Sequence, residues 1–274
     1  MKPDINDAKE YFSTTIASNG AFSPYSTAYA VTNENLRYDL TFMPKETENA
    51  LVVAASGDHP MFTALNGAKN IDTFDLSYNA KLIMDIKTAA LKLLNCQEYC
   101  KLISDIHNSC DISSVDNAQK IIDILPVEEQ HYINEMRGYR LFCHGLQPSA
   151  YTITKPMPTQ EEYDKMREII TKSFNFIWSN ITCLHTKLDK SYDFIHLSNI
   201  LDYINIKESG QILISLMKHT RPGAIICLKM TFYPPLRVLS QHKEFYKMFL
   251  TGNKWKMLPP QSKYDSLYVM QRMK

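Results

Sequence analysis

Short apolar runs alternate with amphipathic stretches in the first third of the chain. Residues 50–56 form a continuous apolar run that ends at Gly57, which is typical of a strand buried on both faces of a parallel sheet. A second strand is predicted at 70–76. Each predicted strand is followed by apolar residues spaced for one helix face, at 59–68 and 78–94. This alternation predicts a doubly wound, mostly parallel α/β fold.

The alternation stops between residues 96 and 172, where the pattern is helical and prolines separate the segments. We predict a helical insertion there, with helices at roughly 97–107, 115–124, 127–142 and 159–173. The alternation then resumes with predicted strands at 174–178, 192–198 and 224–230, a helix at 207–219 that ends at Arg221-Pro222-Gly223, and a last hairpin strand at 267–270.

The domain organisation follows from where these patterns begin. Residues 1–49 contain a short helical stretch near Asp7–Ser18 and then a polar, aromatic segment, so we predict an N-terminal arm or lid. Tyr29 and residues 33–35 are candidates to close over a ligand, with solvent-facing loop residues as the alternative. The α/β domain is predicted to span residues 50–274, including the helical insertion.

Composition excludes several classes of function. The 30 basic and 29 acidic residues leave a net charge of +1, so we expect no nucleic-acid partner. No run approaches the roughly 20 apolar residues that span a bilayer, so we expect a soluble, cytoplasmic protein with at most peripheral membrane contact. The six cysteines form no C-x-x-C pair, so we predict reduced thiols and no metal site.

The turn after the first strand carries the first candidate chemistry, in Ala55, Ser56, Gly57 and Asp58. A glycine at this turn lets backbone N–H groups approach a ligand closely. The segment lacks G-x-G-x-x-G, which argues against a dinucleotide pyrophosphate. A glycine followed by an acid suits a ligand with an ammonium group, from which the Asp58 carboxylate would accept a hydrogen bond. The alternative is an ordinary turn with Asp58 as a helix N-cap.

Asp75 ends the second predicted strand, 18 residues after Gly57, and Leu76 follows it. A carboxylate there can accept hydrogen bonds from both hydroxyls of a ribose, or it can cap the next helix. Together the two constellations predict a nucleoside site, open between S-adenosylmethionine and other adenosine ligands. Asn180, after the strand at 174–178, is a candidate for the adenine, with a plain loop asparagine as the alternative.

The segment after the fourth strand concentrates polar residues where a substrate meets a cofactor in such folds. Ser198 and Asn199 are candidate cofactor contacts, and Asp202 or Tyr203 is a candidate to accept a proton or orient a nucleophile. The alternative is a set of helix-capping residues. His196 lies within the strand pattern and is predicted to be a buried core histidine.

Three segments resemble the BtaA-type S-adenosylmethionine:diacylglycerol 3-amino-3-carboxypropyltransferases. They are the A-S-G-D turn at Ala55–Asp58, the Asp75–Ser77 strand end followed by a helix that carries Lys87, and the H-L-S-N-I-L-D-Y segment at His196–Tyr203. Arg221–Gly223 before the fifth strand is also similar.

This resemblance implies a class I methyltransferase-like Rossmann fold and an S-adenosylmethionine-dependent transferase, with S-adenosylmethionine as co-substrate. The group transferred would be 3-amino-3-carboxypropyl, the acceptor a hydroxyl or amine on a small molecule or lipid, and the product 5′-methylthioadenosine. Methyl transfer on the same fold is the alternative, and a non-catalytic ligand-binding protein is a further one.

Overall fold

The computed structural model describes residues 2–14, 23–116, 118–143, 157–171, 174–230, 254–258 and 267–273. The chain forms two compact units and passes between them several times. The first unit comprises Met1–Leu36, Ala54–Leu65 and Asp75–Trp178, and the second comprises Arg37–Val53, Asn66–Phe74 and Ser179–Lys274.

Helices and strands alternate along most of the described chain. The α-helices are α1 (Ile5–Thr14), α2 (Leu36–Asp39), α3 (Asp58–Leu65), α4 (Tyr78–Leu93), α5 (Cys96–Ser109), α6 (Gln119–Ile122), α7 (Val127–Glu135), α8 (Gln160–Ile169), α9 (Ile181–Leu184) and α10 (Ile206–Met217). The strands are β1 (Ala28–Tyr29), β2 (Asn49–Val53), β3 (Asn70–Asp75), β4 (Phe142–Cys143), β5 (Asn175–Trp178), β6 (Tyr192–His196), β7 (Thr220–Lys229), β8 (Trp255–Leu258) and β9 (Leu267–Arg272).

The second unit is built on a mostly parallel sheet in which six strands follow the order β3-β2-β6-β7-β9-β8. β2 pairs in parallel with β3 and β6, and β6 pairs in parallel with β7. β9 is antiparallel to both β7 and β8. Every residue of β2 is buried, as the continuous apolar run predicts. The α/β class and the mostly parallel sheet predicted from the sequence are confirmed.

The direction of strand succession reverses at β2, because β3 lies on one side of it and the later strand β6 on the other. Such a reversal is the topological switch point of an open α/β sheet, and ligands bind outside the carboxyl ends of the strands there. β2 ends at Val53, beside the end of β6, where Val52 is in register with His196. The chain then leaves β2 directly for the Ala55–Asp58 turn.

The predicted end of the helix at residues 221–223 is wrong, because α10 ends at Met217 and residues 221–223 lie inside β7. The pairing between β6 and β7 shifts from Tyr192–Thr220 to Phe194–Ile225, so extra residues bulge out of the longer strand. Gly223 has φ +85° in this bulge. Proline and glycine mark strand bulges as well as turns, which explains the misassignment.

Two helices of the predicted insertion are shorter than expected. In place of one helix at 115–124, a 3₁₀ turn at Ile112–Ser114 precedes the four-residue α6. The helix expected to run to residue 142 ends at Glu135, and Phe142–Cys143 instead forms β4, which pairs with β1. The second difference arises from pairing between distant segments of the chain.

Some predictions extend beyond the described residues. Residues 15–18 of the first predicted helix and residues 172–173 of the insertion lie outside them, and the predicted boundary at residue 49 stays a prediction. β8 was not predicted. The terminal hairpin strand predicted at 267–270 is confirmed as part of β9. Among the described helices, none has both the length and the apolar character needed to cross a membrane.

Candidate functional site

The turn that follows β2 is a tight backbone structure in the first unit. Gly57 has φ +80° and donates its N–H to the carbonyl of Ala54 at 2.7 Å. Ala55 has φ +45°, a left-handed conformation that alanine rarely adopts. A Cβ atom added to Gly57 would lie 2.8 Å from Cα of Met84 on α4. Only glycine therefore fits where the helix approaches the turn, and strained backbone of this kind concentrates at functional sites.

Asp75, the last residue of β3, is hydrogen-bonded to this turn. Its Oδ2 accepts a hydrogen bond from the N–H of Ala55 at 3.1 Å, and its Oδ1 accepts one from the N–H of Ser77 at 2.9 Å. Burial raises the pKa of Asp75 to about 6, and the N–H groups of Ser77, Ala55 and Leu76 oppose that rise. Ser77, not Asp75, is the N-cap of α4. Asp75 therefore orders the two loops while remaining partly exposed.

We call Ala55–Asp58 together with Asp75 the cradle. Within it, Asp58 is almost fully buried and is the first residue of α3 instead of its N-cap. Its Oδ1 lies 2.5 Å from Nζ of Lys87, whereas its Oδ2 accepts from Ser56 Oγ and from the N–H of Thr32, each at 2.8 Å. The sequence assigns Asp58 to a ligand's ammonium group, and in the structure a protein ammonium group already contacts it.

No role was predicted for Lys87 beyond its place in the family pattern. A signal was present, because Lys87 lies four residues from both Ile83 and Leu91 and so belongs to the apolar face of α4. All three side chains are buried. A lysine inside an apolar helix face indicates a buried partner, and only the fold identifies that partner as Asp58.

The segment 23–36 of the predicted arm is fixed to the start of α4. Asn79 is completely buried, and its Nδ2 donates to the carbonyls of Tyr25 and Ser26, each at 3.1 Å. Its Oδ1 accepts from the hydroxyl of Tyr132 at 3.2 Å. The N–H of Tyr78 donates to the carbonyl of Pro24 at 2.8 Å. Polar groups in the first turn of α4 therefore bind the segment through hydrogen bonds to its backbone carbonyls.

The same segment also contacts the cradle and the helix that follows it. The N–H of Thr32 reaches Asp58, and Oε2 of Glu34 lies 3.3 Å from Nε2 of His59 on α3. Both side chains of the second pair are buried. The described part of the arm thus packs beside the turn, as a lid over a ligand would, and its role as a lid stays a prediction.

The second unit holds the residues predicted after the fourth strand. Ser198 has φ +54°, and its carbonyl accepts from the N–H of Lys229 at 2.7 Å. Asp202 is buried, whereas Tyr203 is 45% exposed. The amide of Asn199 lies 3.4 Å from the hydroxyl of Tyr203. Asn199 and Tyr203 are therefore neighbours, and the catalytic and cofactor roles predicted for these residues stay predictions.

His196 lies in a buried cluster with two charged residues of the second unit. Its Nε2 lies 3.6 Å from Oδ2 of Asp39, and Nζ of Lys229 lies 2.9 Å from the same oxygen. All three side chains are nearly inaccessible to solvent. The prediction of a buried histidine is confirmed, whereas Asp39 and Lys229 are residues that sequence reasoning missed.

Asn180 is an exposed residue in the second unit that caps α9. Its Oδ1 accepts from the N–H of Thr182 at 3.0 Å and from the hydroxyl of Thr182 at 3.1 Å. An N-cap of this kind explains an asparagine at the start of a helix without any ligand. The predicted contact between Asn180 and an adenine stays a prediction.

Comparison with known proteins gives structural similarity only. No protein-family model and no curated protein matches the chain. The N-methyltransferase NodS from Bradyrhizobium japonicum WM9, in complex with S-adenosyl-L-homocysteine, is 8% identical with a TM-score of 0.43, over 98% of each chain. The glycopeptide N-methyltransferase MtfA, complexed with S-adenosyl-L-methionine, is 10% identical with a TM-score of 0.42, over 92% of this chain and 99% of that chain.

An rRNA methylase from Streptococcus thermophilus is also similar, at 8% identity and a TM-score of 0.41, over 87% of this chain and 94% of that chain. Similarities at these levels do not assign a ligand or a reaction to the chain. The resemblance to BtaA-type enzymes also stays a prediction.

Proposed function

We propose that this chain is an S-adenosylmethionine-dependent transferase and that the cradle holds the nucleoside end of the ligand. The observation that carries the proposal is the hydrogen bond between Asp75 and Ala55, which places a carboxylate beside a strained glycine turn. The carboxylate supplies acceptors for ribose hydroxyls, and the turn lets a ligand approach the backbone closely. The cradle lacks the phosphate-binding glycines of a dinucleotide site.

Methyl transfer is the first candidate for the reaction. The positive sulfur activates all three carbons attached to it, and the methyl carbon is the least hindered toward in-line attack. Transfer of the 3-amino-3-carboxypropyl group requires the amino-acid tail to be bent so that its γ-carbon faces the acceptor, a matter of positioning. That reaction is the second candidate, favoured by the A-S-G-D and H-L-S-N-I-L-D-Y segments.

Labelled S-adenosylmethionine separates the hypotheses. The protein is incubated with small-molecule and lipid extracts as acceptors, using ligand labelled in the methyl group or, separately, in the carboxypropyl part. Methyl transfer yields S-adenosylhomocysteine and moves the first label, whereas aminocarboxypropyl transfer yields 5′-methylthioadenosine and moves the second. Binding without transfer of either label supports the non-catalytic alternative. Absence of binding in calorimetry contradicts the proposal as a whole.

The affinity for S-adenosylmethionine is expected to depend on pH through Asp75. Its pKa of about 6 leaves the carboxylate ionised at pH 8 and largely protonated at pH 5, where it loses acceptor capacity. We expect the dissociation constant to rise about tenfold between pH 8 and pH 5. Calorimetric titrations across this range measure the effect, with Asp75→Asn as the control that should flatten it. An equal dependence in both proteins would assign the titration to another group.

A further inference from the structure

Lys87 is a charged side chain in a place where charge is costly. It is 1% exposed on α4, and among the described residues its ammonium group has one acceptor, Oδ1 of Asp58. Burial lowers the pKa of Lys87, and the attraction of the Asp58 carboxylate opposes that change. A buried ion pair gives little net stability compared with apolar side chains of similar volume. Packing alone therefore does not account for a lysine here.

Lys87 occupies one of the hydrogen-bond acceptor positions of the Asp58 carboxylate. A carboxylate has about four acceptor positions. On Asp58, Oδ2 accepts from Ser56 Oγ and from the N–H of Thr32, and Oδ1 accepts from Lys87. These three donors fix the carboxylate on both sides and leave about one position, on the oxygen that Lys87 contacts. Lys87 thus fixes the direction in which the last acceptor position of Asp58 Oδ1 points.

We infer that the Lys87–Asp58 pair is the specificity determinant for the amino-acid end of the ligand. Asp58 offers its remaining acceptor position to the ligand's ammonium group, and Lys87 is the positioning residue that holds the carboxylate in place. The inference rests on the proposed function and extends it from the sugar to the opposite end of the ligand.

Two ligands that share the nucleoside distinguish this role from a structural one. S-adenosylmethionine has the amino-acid tail, whereas 5′-methylthioadenosine lacks it. We expect Lys87→Met to weaken S-adenosylmethionine binding about 10- to 100-fold, the range for hydrogen bonds to charged groups, and to change 5′-methylthioadenosine binding by less than about threefold. Calorimetry on the full chain measures both dissociation constants.

Two further variants keep the test decisive. Lys87→Met leaves Asp58 buried without its counter-charge and can fail to fold, so Asp58→Asn/Lys87→Met removes both charges while keeping the volume. The double variant should show the same selective loss. Lys101→Met is the control, because Lys101 is an exposed lysine of the same unit that pairs with Asp105 along α5, and its loss should leave both affinities unchanged.

The outcomes separate the inference from the proposed function. An equal loss for both ligands in the folded double variant, or no loss for either, would overturn the role of the Lys87–Asp58 pair and leave the nucleoside site standing. Wild-type protein that binds neither ligand would overturn the proposed function, and the inference with it.

Discussion

Replacing Gly57 with alanine should lower the free energy of unfolding by about 2–5 kcal/mol and remove ligand binding. The positive φ of +80° costs an L-residue about 1–2 kcal/mol, and forcing extra volume into a packed site costs about 1–3 kcal/mol more. The new Cβ would lie 2.8 Å from Cα of Met84, so either the turn or α4 must shift. Urea unfolding measures the stability, and calorimetry the binding.

Gly138 provides the matched control for this variant. Its φ of +85° is nearly the same, and within the described part of the chain nothing lies within 4 Å of an added Cβ atom. Gly138→Ala should therefore cost only the backbone term, about 1–2 kcal/mol, and leave binding intact. The difference between the two variants measures how closely α4 approaches the turn. Equal losses would show that this approach has no energetic consequence.

Replacing Asp75 with alanine should weaken S-adenosylmethionine binding by about 1.5–3 kcal/mol, the range for hydrogen bonds to a charged group. The substitution removes the ribose acceptor and also frees the N–H groups of Ala55 and Ser77, which the carboxylate now holds. The loss should be shared by 5′-methylthioadenosine, because that ligand has the same sugar. Calorimetry with both ligands therefore separates the effect of Asp75 from that of the Lys87–Asp58 pair.

Asp105→Ala is the control for the Asp75 variant. Asp105 is an acidic residue of the first unit that pairs with Lys101 along α5, and neither residue contacts the cradle. Its removal should leave both affinities unchanged, because an exposed ion pair within a helix contributes little. A folded Asp75→Ala protein with wild-type affinity would refute the ribose assignment.

The parts of the fold that were predicted correctly are those with a strong local pattern. The apolar run at 50–56 is long enough for a strand and too short for most helices, and the spacing of 78–94 matches one helix face, so β2 and α4 appear where expected. The elements that were missed depend on distant partners. β4 pairs with β1 across more than a hundred residues, and the bulge at Gly223 is a shift in the register between β6 and β7.

The candidate site divides in the same way. The sequence by itself determined the class of fold, the glycine turn and the acid at the end of the next strand, because each depends on residues close together in the chain. Only the tertiary structure decided that Asp58 is already paired with Lys87 and bound by Thr32. Such pairs depend on which side chains the packing brings within hydrogen-bonding distance, and burial then decides which charges need a partner.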